Sequence, residues 1–497
     1  MKELFKIKGF AAYLMVLVLN VTLDIAHKIT IQNILIKSYE GDTLVILSAI
    51  INMFILIPFV LLFSPSGYLS DRFSKTHVIK YSAMSAIGLT TLIALSYFMG
   101  WFIFAFIATL LLATQSAIYS PAKYGIIKEI VGVDNLGSAN AIVQALTIVF
   151  ILLSSIAFTV LFESLYSGVA SPETILQAIA PIGLILIGLS LFETFMACRL
   201  PKMEAKNPNS SFAISEYFKL NYLRTNFAKL THDHNIWLSI IAISLFWGVA
   251  QVVIAAFPAH YKAITGDDDT IIIQSILAIS SIGLIIGSFI SGVASKKHIE
   301  HGFIPLAAIG LALSLFAFAT VRETSSLYVA SLVFGFFGGL FIVPLNATIQ
   351  FFAPNADMGK VLAGKNFIEN ITMILFLSSS IALVSVGFST SYLFVIASGI
   401  VAIGSLYAIK QLPHLFTRML LFPILRTKYS LITQGVENLP KSGGVLLLGN
   451  HISWIDWLVV QVASPRAIKF VMTRDIYNRW YLKRFLQFFD VIAISNG

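Results

Sequence analysis

"SPSGYLSDRFSK", residues 64–75, places Asp71, Arg72 and Lys75 between two apolar runs, 44–64 and 77–98. So much charge in so short a gap fits a turn at a membrane surface, with a membrane span on either side. Working outward, runs near the roughly 20 residues that a helix needs to cross hydrocarbon recur at 9–36, 44–64, 77–98, 101–122, 139–163, 176–198, 236–261, 271–291, 303–320, 326–350, 363–386 and 390–409. These make twelve spans. Of the 497 residues, 57% are hydrophobic and 11% charged, a balance that excludes a soluble globular protein. Lys2, Lys6 and Lys8 precede the first run, but its length and the lack of a small-residue cleavage site mark it as a retained span. The single cysteine, Cys198, excludes an intrachain disulfide and reads as packing.

Alternate loops differ in Lys and Arg. One set carries Lys2, Lys6, Lys8, Arg72, Lys75, Lys80, Lys123, Lys128, Arg199, Lys202, Lys206, Lys219, Arg224, Lys229, Lys296, Lys297, Lys360 and Lys365; the other carries only Lys37, Lys262 and Arg322. Because positive residues stay on the cytoplasmic side, both termini are predicted to be cytoplasmic. Basic loops facing an anionic leaflet account for the net charge of +9, so no nucleic-acid partner is implied.

The longest polar stretch, "RLPKMEAKNPNSSFAISEYFKLNYLRTNFAKLTHDHN", divides the spans six and six. The halves resemble each other. Gly67 in "SPSGYLSDRFSK" and Gly292 in "SFISGVASKKHI" lie 225 positions apart at the same exit of each half's second span. Pro121 in "YSPAKYGIIKEIVGVD" and Pro344 in "IVPLNATIQFFAPNAD" lie 223 apart, each with an Asp thirteen residues on, Asp134 and Asp357. Two pairs at nearly one offset indicate a duplicated six-span unit, the plan expected where two bundles rock about a midplane site.

"GYLSDRFSK", residues 67–75, resembles the signature between spans two and three of the major facilitator transporters. The resemblance implies an all-α polytopic membrane protein, twelve transmembrane helices in two six-helix bundles. It also implies gating roles for Gly67, Asp71, Arg72 and Lys75, with Gly67 allowing close helix approach and Asp71 and Arg72 pairing across the cytoplasmic face. Ser74 stands where a second glycine is usual.

Polar residues inside spans are costly unless they face a cavity or a partner. In the first span, "LMVLVLNVTLDIAHKITIQNIL", Asn20, Asp24, His27 and Lys28 fall on one face, within about a 100° arc of a helix. An Asp24–Lys28 ion pair is open at that spacing. Gln115, Ser116, Tyr119 and Lys123 form a second polar line in the fourth span, where Pro121 is expected to kink the helix; Asn140, Gln144, Trp247, Gln251, Lys365, Asn366, Glu369 and Asn370 add scattered polar groups. The substrate-binding candidates are Asn20, Asp24, His27, Lys28, Gln115, Tyr119, Lys123, Gln144, Trp247 and Gln251. For an isolated Asn or Gln, bonding between helices is the competing role. A modestly polar cavity with apolar walls suits an amphiphile better than a sugar.

After the twelfth span comes a Leu- and Phe-rich segment with Arg418, Arg426 and Lys428, expected to lie as a helix in the interface and to break at Pro423. Then follow a Gly-Gly turn, an apolar run expected to be a strand, and "LLLGNHISWIDW", residues 447–458. Asn450, His451 and Asp456 resemble the first motif of glycerolipid acyltransferases. That resemblance assigns His451 as the base that removes a glycerol hydroxyl's proton as it attacks an acyl thioester, and Asp456 as the group orienting the imidazole. The family's later motifs are not visible before Gly497. The 87 residues of 411–497 are short for this fold, so a partial, inactive α/β acyltransferase domain from a longer fusion is expected.

Together the two parts resemble the bacterial system of lysophospholipid transport and acylglycerophosphoethanolamine acylation. The resemblance implies that lysophosphatidylethanolamine and related lysolipids are moved from the outer to the inner leaflet of the inner membrane and reacylated there. The implied partners are the lysophospholipid, membrane lipids and, for the complete acyltransferase, acyl carrier protein; no cofactor or metal is expected. The expected domains are an N-terminal bundle (1–198), a linker (199–235), a C-terminal bundle (236–410) and the acyltransferase segment (411–497). A generic facilitator exporting small molecules, and a bundle serving only as membrane anchor, remain open from the residues alone.

Overall fold

The computed structural model describes residues 4–495 apart from 133–134, 169–170, 206–207, 209–216, 218–229, 232, 296–297, 355–357, 429–431, 433, 436–437, 441–442, 454–455, 465 and 467. Most of the predicted linker, Asp134 and Asp357 therefore lie outside the described residues.

The first half folds as α1 (Phe10–Ser38), α2 (Gly41–Leu61), α3 (Phe63–Arg72), α4 (Lys75–Met99), α5 (Phe102–Val131), α6 (Leu136–Leu165), α7 (Pro172–Ala178) and α8 (Pro181–Ala197). The second half folds as α9 (His234–Thr265), α10 (Thr270–Ala294), α11 (Phe303–Thr320), α12 (Thr324–Phe352), α13 (Met358–Ser385) and α14 (Thr390–Gln411). Eleven of these described helices are long and apolar enough to span a membrane, and α7 with α8 forms a twelfth span bent by 60°. The unbroken helix expected over 176–198 is thus corrected. Pro181 sits in the first turn of α8 and Pro172 in that of α7, where proline starts a helix well but cannot continue one from upstream. Pro121 and Pro344 fall inside α5 and α12, the fourth span of each half. The opening stretch is itself mostly helical, as α3.

Close approach occurs elsewhere than the sequence suggested. At Gly67 and Gly292 an added Cβ would meet nothing within 4 Å, so the helix-approach role expected of Gly67 is not observed. Instead α10 and α12 touch backbone to backbone at Gly283, Gly287, Gly335 and Gly339. A Cβ on Gly339 would strike the Leu284 carbonyl and the Ser288 amide, and one on Gly335 the backbone of Ser280. Small residues four apart on facing helices allow this contact.

The two bundles meet along α2, which packs on α9 and α13 through Ala49, Leu56, Ala255 and Leu377, edged by Met53 and Met373. Beyond α14, α15 (Pro413–Lys428) runs through position 423 without the expected break. Its first half packs on the loop before α11, where Gly302 leaves room for Met419 and the Leu415 carbonyl. Next come α16 (Asp456–Ala463), β1 (Val471–Thr473), α17 (Arg474–Tyr477), α18 (Trp480–Phe488) and β2 (Ile492–Ile494). The strands pair in parallel, Val471 opposite Ile492 and Thr473 opposite Ile494. The run before His451 is not a strand: Leu446 and Leu448 are 79% and 87% exposed, and among the described residues the one sheet is the pair β1–β2, so no described strand lies beside this run to satisfy its backbone.

Candidate substrate cavity and acyltransferase motif

The polar face of α1 points into the N-terminal bundle. A cavity of about 180 Å3 is lined there by Asp24 and His27, by Ile55 and Phe59 of α2, by Thr109 and Ser116 of α5 and by Ile151 of α6. Asp24 Oδ2 accepts the Ser116 hydroxyl at 2.6 Å, and its Oδ1 has no protein partner. Asp24 therefore reaches across to α5 rather than along α1, and the Asp24–Lys28 pair does not form. His27 has both ring nitrogens engaged, Nδ1 with the Tyr97 hydroxyl at 2.9 Å and Nε2 with the Thr109 hydroxyl at 3.2 Å. It anchors α1 to α4 and α5 while edging the cavity.

The other candidates are dispersed. Gln115 donates to the Ser82 carbonyl at 3.0 Å and hydroxyl at 2.8 Å, a bond between helices. Lys123 lies 5.2 Å from the Tyr119 ring and 5.3 Å from that of Tyr124. Asn20 and the Tyr119 hydroxyl are buried without partners. Gln144 is exposed on α6. Trp247 meets Phe246 edge to face at 5.2 Å, and Gln251 donates to Met373 Sδ at 3.6 Å. Only Asp24 and His27 of the ten line this cavity. One residue the sequence reading passed over is Glu193 of α8, fully buried with both carboxylate oxygens unpartnered and within electrostatic reach of Asp24 and Lys123. Its signal was plain: it is the one acidic residue of the run 176–198.

At the end carrying the termini, Asp71 and Arg72 do not pair. Arg72 is exposed and donates to the Tyr68 hydroxyl. The ion pair belongs to Lys75, which joins α4 to Glu129 of α5, its stem crossing Gly125. The opposite end is closed by contacts between the bundles. Lys37 pairs with Glu163 at 3.0 Å and with Asp268 at 3.2 Å. Glu163 also accepts the Thr270 amide and hydroxyl at 3.1 and 2.6 Å, and Lys262 donates to the Ile36 and Tyr39 carbonyls at 2.8 and 3.2 Å. Two of the three basic residues counted for topology on that side are thus its lock.

Lys37 is 6% exposed and Glu163 19%, whereas Asp268 at 46% is screened and adds less. Glu163→Gln should therefore move the closed-to-open balance by about 1–3 kcal/mol, roughly 5- to 150-fold. The check is labelling by an impermeant maleimide of a cysteine at Val45, buried near the closed end, in a Cys198→Ser background. Unchanged labelling would mean the ion pairs do not hold this end shut.

In the C-terminal segment His451 Nδ1 lies 3.0 Å from Asp456 Oδ2, which also accepts the Ile452 and Ser453 amides at 2.7 and 2.8 Å. Those amides, Ser453 first, and then His451 hold the Asp456 carboxyl below the usual carboxylate range. An ionised Asp456 fixes the imidazole through Nδ1 and leaves Nε2 for a hydroxyl, the arrangement a general base requires.

Residues 9–377 match the Major Facilitator Superfamily. The chain belongs to that superfamily. Residues 430–496 match the Acyltransferase family. Among the relatives of this facilitator, the lysophospholipid transporter LplT of Photorhabdus laumondii is 27% identical over 346 residues, 68% of this chain and 80% of that protein. The LplT of Serratia proteamaculans is 28% identical over 329 residues, 65% and 74% of the two. Among solved structures, a D-xylose-proton symporter superposes with a TM-score of 0.58 at 14% identity over 80% of this chain and 96% of that one. The fucose:proton symporter FucP of Escherichia coli gives 0.55 at 11% identity, over 80% and 97%.

One arginine ties the facilitator bundle to the acyltransferase segment. Arg418 of α15 pairs with Glu300, in the loop before α11, at 2.6 Å and donates to the Val462 carbonyl of α16 at 3.1 Å. Burial alone would raise the Glu300 carboxyl, but hydrogen bonding to His298 and the Arg418 charge leave it below its ordinary value. The stability this gives to docking is in full above the ordinary carboxylate value and is lost as pH falls through the depressed one. Arg418→Ala leaves the buried Glu300 carboxylate with only His298 and the Gly302 amide, which should cost up to about 3–5 kcal/mol. Limited proteolysis between 429 and 456 should then accelerate at least tenfold; an unchanged rate would show that Arg418 does not hold the segment.

Proposed function

We propose that the chain moves lysophosphatidylethanolamine and related lysolipids from the outer to the inner leaflet of a bacterial inner membrane, for reacylation by its C-terminal acyltransferase. The observation that carries this reading is a partly buried, half-satisfied Asp24 facing a small apolar-walled cavity, in a chain that continues into a His–Asp acyltransferase motif. Asp24 takes the ethanolamine ammonium and Lys28 or Lys123 the phosphate, so a zwitterion is bound without adding net charge to the membrane interior. The names of the curated relatives support the same substrate class. Both termini and residues 199–235 are cytoplasmic, the bundles are 1–198 and 236–410, and 411–497 lies on the cytoplasmic surface. Acyl carrier protein is the partner of the complete acyltransferase.

Purified protein in proteoliposomes should move a labelled lysophosphatidylethanolamine between leaflets and leave a cationic dye where it is. Dye movement without lipid movement would make the chain a general exporter, and movement of neither would leave only an anchor. In a Cys198→Ser background, a cysteine at Ser210, which lies outside the described residues, should be labelled from the cytoplasmic side only.

A further inference from the structure

The C-terminal bundle holds a second and larger cavity, of about 460 Å3, away from the Asp24 site. It lies between α9, α11, α12 and α14, with walls formed by side chains such as Leu245, Val249, Leu311, Leu315, Phe334 and Phe341. Its polar lining gathers toward one end. His234 and Asn235 open α9, His301 precedes α11, Thr348 lies in the last turns of α12, and Gln411 ends α14. His301 Nε2 and the Thr348 hydroxyl lie 2.9 Å apart there. Leu415 of α15 borders the same end, on the helix that Arg418 ties to the acyltransferase segment.

Side chains inside proteins pack closely, so an apolar-walled cavity of this size among four helices stands out. Its size falls in the range of small-molecule sites, about 300–1,000 Å3. We propose that this cavity binds a lysophospholipid, its single acyl chain among the apolar side chains and its headgroup at the α15 end, as a holding site beside the acyltransferase segment. Among the described residues the lining contains no carboxylate, so an anionic phosphodiester meets hydrogen-bond donors there without repulsion. One apolar compartment with one polar end matches a molecule with one chain and one head. This assignment rests on the proposed lysolipid function for the nature of its occupant.

The test uses the full chain in proteoliposomes with a lysophosphatidylethanolamine bearing a diazirine in its acyl chain, adducts being mapped by peptide mass spectrometry. Adducts on Leu311, Leu315 and Phe334 should be suppressed at least tenfold by excess unlabelled lysophosphatidylethanolamine. Those on Leu313 and Phe316, which the same helix exposes at 64% and 51%, should persist. Ala308→Trp, which fills the cavity, should remove the first set and spare the second, and the competition result stands if that variant does not fold. Cavity adducts that are absent or not suppressed would overturn the proposal, and so would capture of a diazirine fatty acid but not of the lysolipid. Normal lipid transfer by a protein without suppressible cavity adducts would remove this site and leave the transport function standing. Suppressible adducts without transfer would support the site and remove the transport function.

Discussion

Asp24→Asn is expected to insert and fold normally and to lose lysophosphatidylethanolamine transfer by about 10- to 150-fold, the equivalent of the roughly 1.5–3 kcal/mol of a hydrogen bond to a charged group. Asparagine keeps the volume, and its side-chain oxygen can still accept the Ser116 hydroxyl that Asp24 accepts at 2.6 Å. What disappears is the negative charge on a carboxylate whose second oxygen has no protein partner. Lys123→Ala should be milder, because that ammonium is already shared between the rings of Tyr119 and Tyr124. Initial transfer rates in proteoliposomes of matched protein content decide it. A normal rate for Asp24→Asn would move the headgroup site away from α1, with Glu193 the next residue to replace.

Gly339→Val is expected to fail earlier, at assembly. Its side chain would have to occupy the backbone of Leu284 and Ser288 on the facing helix. Ordinary overpacking costs about 1–3 kcal/mol because side chains move aside; here the obstacle is main chain, and α10 must part from α12 along its length. Gly399→Val is the control, since a Cβ there meets nothing within 4 Å. The expected result is a monodisperse peak in detergent for Gly399→Val and little or none for Gly339→Val. Equal yields would mean the two helices can separate without penalty.

These residues also mark what could be read from the sequence. Hydropathy sufficed for the spans because a bilayer imposes one length on every crossing helix. Only the sixth departed from its expected form, and Pro181 was there to be noticed. The polar face of α1 was legible because helical spacing is local, but its partners were not. His27 is held by Tyr97 and Thr109, 70 and 82 positions away, and nothing in the spacing of Asn20, Asp24, His27 and Lys28 distinguishes an anchor from a ligand. The glycine pairs 283/287 and 335/339 are readable at their four-residue spacing, whereas Gly67, the glycine that the motif singles out, faces open space where a Cβ would stand. Lys37 and Lys262 were counted as topology markers because a charge shows its side of the membrane locally and its ion pair only in three dimensions. The His451–Asp456 contact was foreseen because both ends of it lie within one turn of chain.

The seam along α2 differs in kind from the contact between α10 and α12. Its buried core is Ala49, Leu56, Ala255 and Leu377, and it is edged by Met53 and Met373. The polar contact across it ends on thioether sulfur, Ser378 of α13 on Met53 of α2 at 4.0 Å, and beside it Gln251 of α9 donates to Met373 of α13 at 3.6 Å. Unbranched, polarisable side chains re-pack with little loss as a surface shifts beneath them. The seam therefore acts as a bearing, along which α2 can slide against α9 and α13 without breaking a strong bond, while the glycine-faced pair α10 and α12 travels as one stiff blade. Stiffening the bearing with a branched residue at Met53 or Met373 would slow the cycle without touching either lipid site.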